Sequence, residues 1–260
     1  MRIVRVLAPN PGPFTLDGTN TWIVGSGPAL VIDPGPPHEG HVEAVRREAG
    51  EVGAILLTHR HPDHAPAAGR LGALTGARVL AFHAQAGEEP LRDDTVIEGG
   101  GVVLRAIHTP GHTPDHFAFH EPSSGVLFTG DAVLGRGTSV IDPPEGDMAD
   151  YVRSLHRMLA LHPRTIHPGH GQTVPSGEAK LHEYLEHRES RERQVLHGLR
   201  AGPRTPEELV PLIYQDYPPE LHPAAARSVL AHLIKLEHEG RVFRAGSPSE
   251  GHFELTASSH

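Results

Sequence analysis

The stretch Leu56-Leu57-Thr58-His59-Arg60-His61-Pro62-Asp63-His64 constrains this chain more than any other. An apolar run ends directly on three histidines and an aspartate within six positions. A short apolar run bounded this way reads as a buried strand. The fold must therefore bring the C-terminal end of a buried strand to a polar site. Neutral imidazole and carboxylate both donate lone pairs to metal ions.

The same device recurs downstream. "VVLRAIHTPGH" reads as a strand ending in a Pro-Gly turn and His112. "HFAFHEPSSGVLFTGD" reads as a hairpin whose second strand ends on Asp131, and "TIHPGHG" as a strand ending on His170. The candidates thus sit where backbone is rigidly aimed yet accessible. Between them run "TNTWIVG" and "ALVIDPG" as paired strands, "HVEAVRREAG" as a helix closed by Gly50, "APAAGRLGALTG" as a helix and "ARVLAFH" as a strand. "MADYVRSLHRMLALHP" is an amphipathic helix with Tyr151, Leu155, Met158 and Leu159 on one face.

A long polar helix over about 178–199 precedes a break at "RAGPRTP". Thr205-Pro206-Glu207-Glu208 is then a capping box with proline at the first helical position. Helix "PEELVPLIY", which Pro211 threatens to cut short, helix "PAAARSVLAHLIKLEHEG" and hairpin "RVFRAGSPSEGHFEL" suggest a winged-helix-like unit. We therefore expect domains at 1–200 and 201–260. Acids outnumber bases from Pro203 onward, which favours a packing or dimerisation module over a DNA reader.

The 260 residues carry a formal net charge of -9, giving no electrostatic footprint for nucleic acid or anionic membrane. Cysteine is absent, so there is no disulfide framework and no thiolate ligand. No membrane span or signal peptide is legible, and a cytoplasmic location is expected. Histidine is the outlier at 22 residues. His38, His41, His182, His187 and His197 lie among charged residues and read as solvated. His108 and His167 read as structural strand histidines.

His59, His61, Asp63, His64, His112, Asp131 and His170 suit two metal ions. One would take His59, His61 and His112, the other Asp63, His64 and His170, with Asp131 bridging. Nitrogen and oxygen donors without thiolates fit zinc, manganese or iron. Two cations sharing a water lower its pKa from about 16 to roughly neutral, yielding hydroxide for hydrolysis, with Asp63 holding or taking its proton.

In "THRHPDH", "TPGHTPDH", "FTGD" and "HPGHG", in that order, the chain resembles the metallo-β-lactamase superfamily. The resemblance implies an αββα sandwich with two metals at the sheet edges, two zinc ions being the expected pair. "NPGPFTLDGTNTWIVG", "GDAVLGRGTS" and the winged-helix-like tail look like the β-lactamase-like protein 2 subgroup, whose characterised member is a metal-dependent endoribonuclease. The resemblance makes Asp33 a residue that orients ligands and places His116 near the site as a polar support. Asn20 and Thr21 read either as substrate-facing or as strand-start residues. A Gly-Gly pair usual after the histidine motif is replaced by "APAAG", which alters the loop but removes no ligand.

The expected reaction is hydrolysis of phosphodiesters in single-stranded RNA. The alternative is a small ester or thioester hydrolase of glyoxalase II type. Arg60, Arg105 and Arg136 stand near strand ends as candidate phosphate contacts. Flavodiiron-type relatives place a glutamate where His61 stands, whereas sulfur-oxidising relatives keep the histidine motif with one iron. A relic site in a scaffold protein would have lost ligands, and here all are present. No membrane contact is expected, and a homodimer is the assembly to consider.

Overall fold

A computed structural model describes residues 1–215, 218–245 and 251–256. Strands covered on both faces must be apolar throughout, and the central strands meet that demand. The first sheet has the order β1 (Ile3–Leu7), β2 (Asn20–Val24), β3 (Ala29–Ile32), β4 (Val52–Leu56), β5 (Arg78–Ala81) and β6 (Glu88–Pro90). Helices α1 (Glu39–Ala49) and α2 (Ala67–Thr75) flank β4 in sequence. The second sheet runs from β7 (Val96–Gly99) through β8 (Val102–His108), β9 (Phe117–Glu121) and β10 (Val126–Gly130) to β11 (Thr165–Pro168). Helix α3 (Met148–Leu159) links β10 to β11, which pair in parallel, and α4 (Gly177–Gly198) follows.

Side chains alternate along each strand and sort into three layers. Leu30 and Ile32 of β3, Leu56 of β4, Phe117 and Phe119 of β9 and Phe128 of β10 pack between the sheets. Val31 and Ile55 turn the other way, onto Val42, Val45 and Leu71 of α1 and α2. Ala118 and Leu127 turn outward onto Tyr151, Leu155 and Tyr184 of α3 and α4. This is the expected αββα sandwich. Sequence reading passed over β1, β6 and β7: β1 is only half-buried, and the other two are short and carry glutamates.

A separate core forms where α5 (Pro206–Ile213) and α6 (His222–His238) meet the hairpin β12 (Val242–Ala245) and β13 (His252–Leu255). The Thr205–Glu208 capping box is present in both directions, and Pro211 sits inside α5 without ending it. The expected hairpin turn at 246–250 lies outside the described residues. Among the described residues no helix is long and apolar enough to cross a membrane.

Candidate metal centre

The site forms where both sheets end together. β4 ends at Leu56, and the chain turns through 59–64 at its C-terminal edge. β10 delivers Asp131 from the opposite sheet after a register shift between Phe128 and Gly130. β11 delivers His170 beside it. Gly169 is required at that turn, because a Cβ there would lie 2.5 Å from Asp131 Oδ1 and 2.8 Å from the His64 ring.

The structure brings the seven residues together in two groups that share an edge. His59, His61, His112 and Asp131 form one, and Asp63, His64 and His170 the other, with donor atoms of each group within 4.8 Å of one another. Asp131 reaches toward both: its carboxylate lies 3.7 Å from His112 Nε2 and 3.3 Å from His170 Nε2. His59, His64 and His170 are buried, while the side chains of His61 and Asp63 are 31% and 23% exposed. The centre is therefore most open to solvent on the His61–Asp63 side.

Each ring is aimed by what holds its other nitrogen. His64 Nδ1 donates to Asp33 Oδ2 at 2.8 Å, His112 Nδ1 to the Val140 carbonyl at 2.9 Å, and His170 Nδ1 to the Gly18 carbonyl at 3.2 Å. His59 Nδ1 donates to Thr58 Oγ1 at 2.9 Å, and that hydroxyl in turn donates to Asp33 Oδ2 at 2.7 Å. All four Nε2 lone pairs are left for the centre. His61 is inverted, with Nδ1 pointing inward at 3.2 Å from His112 Nε2 and Nε2 lying 3.6 Å from Glu145.

This donor set fits divalent cations. Two pairs of ring nitrogens face one another, His61 with His112 at 3.2 Å and His64 with His170 at 3.3 Å. His59 Nε2 and Asp131 Oδ1 are buried with no hydrogen-bond partner. Each such orphan costs about 1–3 kcal/mol, and a bound cation would satisfy them together. Nitrogen and carboxylate donors alone do not choose between zinc and iron.

The charges are balanced internally. Burial lowers the pKa of His59, His112 and His116, keeping those rings neutral and ready to donate lone pairs. His64 goes the other way: against burial, the Asp131 and Asp33 carboxylates hold its pKa well above the imidazole range. Burial also opposes His170, but Asp131 and Asp63 push it up to about 9. The two aspartates are pulled well below the carboxylate range by His64 and His170, again against burial. A cation would compete with protons for these inward nitrogens.

The remaining expected residues divide. Asp33 is buried at φ 50 and accepts from Thr58 N, Thr58 Oγ1 and His64 Nδ1. His116 supports the site from behind: its Nε2 accepts from Asp131 N at 3.2 Å while Nδ1 pairs with Thr109 Oγ1 at 2.9 Å. Asn20 and Thr21 do not face substrate. Both are fully buried. Asn20 Nδ2 donates to the Pro168 and Gly171 carbonyls, pinning the turn that carries His170, and Thr21 Oγ1 donates to the Asp33 carbonyl. His41 is not solvated either. It packs against Thr21 Oγ1 at 3.0 Å, and burial brings its pKa down to about 4. His108 and His167 are structural, stacking on Phe82 and Phe128. The "APAAG" departure is absorbed: Ala67 and Ala68 open α2 and are buried in the core.

Two residues escaped sequence reading. Thr19 Oγ1 donates to Asp63 Oδ2 at 2.8 Å and itself accepts from Asn10 Nδ2 at 2.9 Å. Thr58 links Asp33 to His59. Their only sequence signal is position, next to Asn20 and His59.

Residues 14–170 match the family model of the metallo-β-lactamase superfamily, and residues 205–251 match that of the β-lactamase-associated winged helix domain. The β-lactamase-like protein 2 homolog of Drosophila melanogaster is 34% identical over 95% of this chain and 92% of its own length. A metallo-β-lactamase family protein from Thermus thermophilus superposes with a TM-score of 0.81 at 27% identity, covering 98% of each chain. A further crystal structure, of a protein in a di-iron-bound form, superposes at 0.55 with 29% identity, covering 67% of this chain and 96% of the other.

Proposed function

Because the chain belongs to the metallo-β-lactamase superfamily and is built as a metal-dependent hydrolase, we propose that it cleaves phosphodiester bonds in single-stranded RNA, with a pair of zinc ions as its cofactor. The observation that carries the substrate class is the state of three arginines. Arg60 is tied to Glu88 and the His83 carbonyl. Arg105 pairs with Asp94 at 2.9 Å. Arg136 is exposed and has no hydrogen bond or ion pair among the described residues. It sits on the loop leaving Asp131, with its backbone nitrogen against Gly171, next to His170. A guanidinium on that loop, without an internal partner among the described residues, carries the forked donors that a phosphate takes.

When bound, such ions supply a Lewis acid for the scissile group and bring the pKa of water to about 7. The chain's own residues hold the geometry. Thr19 fixes Asp63, which stays anionic and offers an oxygen to the proton of the attacking water. Asp33, Thr58 and the Val140 carbonyl keep the imidazoles in the tautomers that leave their inward nitrogens free. Arg136 would hold a non-bridging phosphate oxygen and stabilise the charge that develops on it.

The net charge of -9 favours the second reading, a small ester or thioester as substrate. Arg136→Ala separates the two. On the phosphodiester reading, cleavage of single-stranded RNA falls about 10- to 100-fold, as for a lost charge-assisted hydrogen bond of roughly 1.5–3 kcal/mol, while S-lactoylglutathione turnover is absent from both proteins. Thioester turnover with inert RNA would overturn it. The same reading sets the protein in the cytoplasm and takes a homodimer as the assembly to test by sedimentation.

A further inference from the structure

Helix α4 carries Arg188, which is 4% exposed and has no carboxylate partner among the described residues. A buried guanidinium is costly unless it is hydrogen-bonded, and its position shows what it holds. Nη2 donates to the Ser139 carbonyl at 2.6 Å, and the guanidinium carbon lies 5.0 Å from the centre of the Tyr151 ring.

Ser139 lies in the segment joining Asp131 to α3. Its hydroxyl reaches back to the Asp131 and Ala132 carbonyls at 2.6 and 3.0 Å. The next carbonyl, that of Val140, is the acceptor that aims His112. Two tyrosines clamp the same segment. Tyr184 of α4 accepts from Leu134 N and donates to the Gly137 carbonyl, both at 2.9 Å, and Tyr151 of α3 donates to the Ala132 carbonyl at 2.7 Å. The C-terminal module extends the clamp. Arg227 of α6 pairs with Asp142 at 2.5 Å and donates to the Pro143 carbonyl. Ala231, one turn further along α6, is buried in the core formed with α3 and α4.

We propose that Arg188 is a positioning residue for His112 and Asp131, and that the winged-helix-like module, through Arg227, is a strut for the same 132–143 segment. This assigns the C-terminal module a role in building the metal centre of its own chain. The inference rests on the metal-centre reading and not on the identity of the substrate. The physical reason is that neither His112 nor Asp131 lies within a strand: their backbones belong to turns, so their precision must come from side chains that grip those turns.

The test uses the full chain loaded with cobalt(II), and reads the two binding steps by chelator competition and the visible spectrum of the bound ion. Arg188→Met keeps the bulk and removes the donors. The step involving His59, His61 and His112 should weaken about 10-fold or more, the range for lost support of a ligand, and its spectrum should change. The step involving Asp63, His64 and His170, which shares Asp131 but not His112, should weaken less. Arg188→Lys should restore part of the loss, and Arg227→Ala, at an exposed contact, should shift the same step in the same direction. A lower Tm with both steps and the spectrum unchanged would make Arg188 a packing residue and overturn the proposal. If Arg188→Met does not fold, unchanged binding in Arg227→Ala overturns the strut. Inert RNA with the expected binding changes would sink only the substrate reading.

Discussion

Replacing Asp33 with asparagine removes one charge and turns one acceptor oxygen into an N–H₂ donor, and the structure shows why neither change can be absorbed. Asp33 accepts three hydrogen bonds and donates none: Thr58 N at 2.8 Å on Oδ1, and Thr58 Oγ1 at 2.7 Å with His64 Nδ1 at 2.8 Å on Oδ2. An asparagine carbonyl can serve only one side. If it faces Thr58 N, the amide N–H₂ meets His64 Nδ1–H, and that ring must move its proton to Nε2, the nitrogen needed by a metal. If it faces His64, the amide opposes a backbone N–H that cannot change, leaving a buried donor unpaired at about 1–3 kcal/mol. Lost support of this kind weakens metal binding about 10- to 100-fold, equivalent to roughly 1.4–2.7 kcal/mol. Competition against a chromophoric chelator, resolved into two steps, measures it. The step using Asp63, His64 and His170, which Asp33 touches directly, should weaken most, and the His59 step less, through Thr58. Both steps within about twofold of the parent, with unchanged Tm, would refute the reasoning.

Thr19→Val keeps the shape and deletes the donor to Asp63. We expect kcat to fall about 10-fold or more, from a hydrogen bond to a charged group of roughly 1.5–3 kcal/mol, with metal content retained by elemental analysis. His167 is held neutral by burial, which brings its pKa down to about 4. Its unfolded state binds a proton near 6.5, so the unfolded chain takes up more protons between those values, and stability falls as the pH drops through that window. His167→Phe, packed against Trp22 and Phe128, should remove up to about 3 kcal/mol of that pH dependence, read as a smaller loss of ΔG in urea melts between pH 6.5 and 4.5.

The sequence alone determined the metal-ligand candidates and the strands that carry them, and its family resemblance implied the layers. Strands buried on both faces must be apolar along their length, so "ALVI" and "VLFTG" announce themselves, and a donor placed directly after such a strand has its direction set by local geometry. His59, His61, Asp63 and His64 were legible because their spacing is itself the chemistry, and the capping box at Thr205 because it closes within four residues. Only the tertiary structure decided which groups hold those donors in place. Asn10, Thr19, Thr58 and Arg188 are common residue types in ordinary contexts. Thr19 meets Asp63 across 44 positions, and Arg188 meets Ser139 across 49. Asn20 and Thr21 look the same in sequence whether they face substrate or core, and the pairing of Asn20 with the His170 turn, 148 to 151 positions away, put them in the core. A hydrogen bond leaves no periodicity along the chain. Its partner is fixed only when the two sheets close against each other.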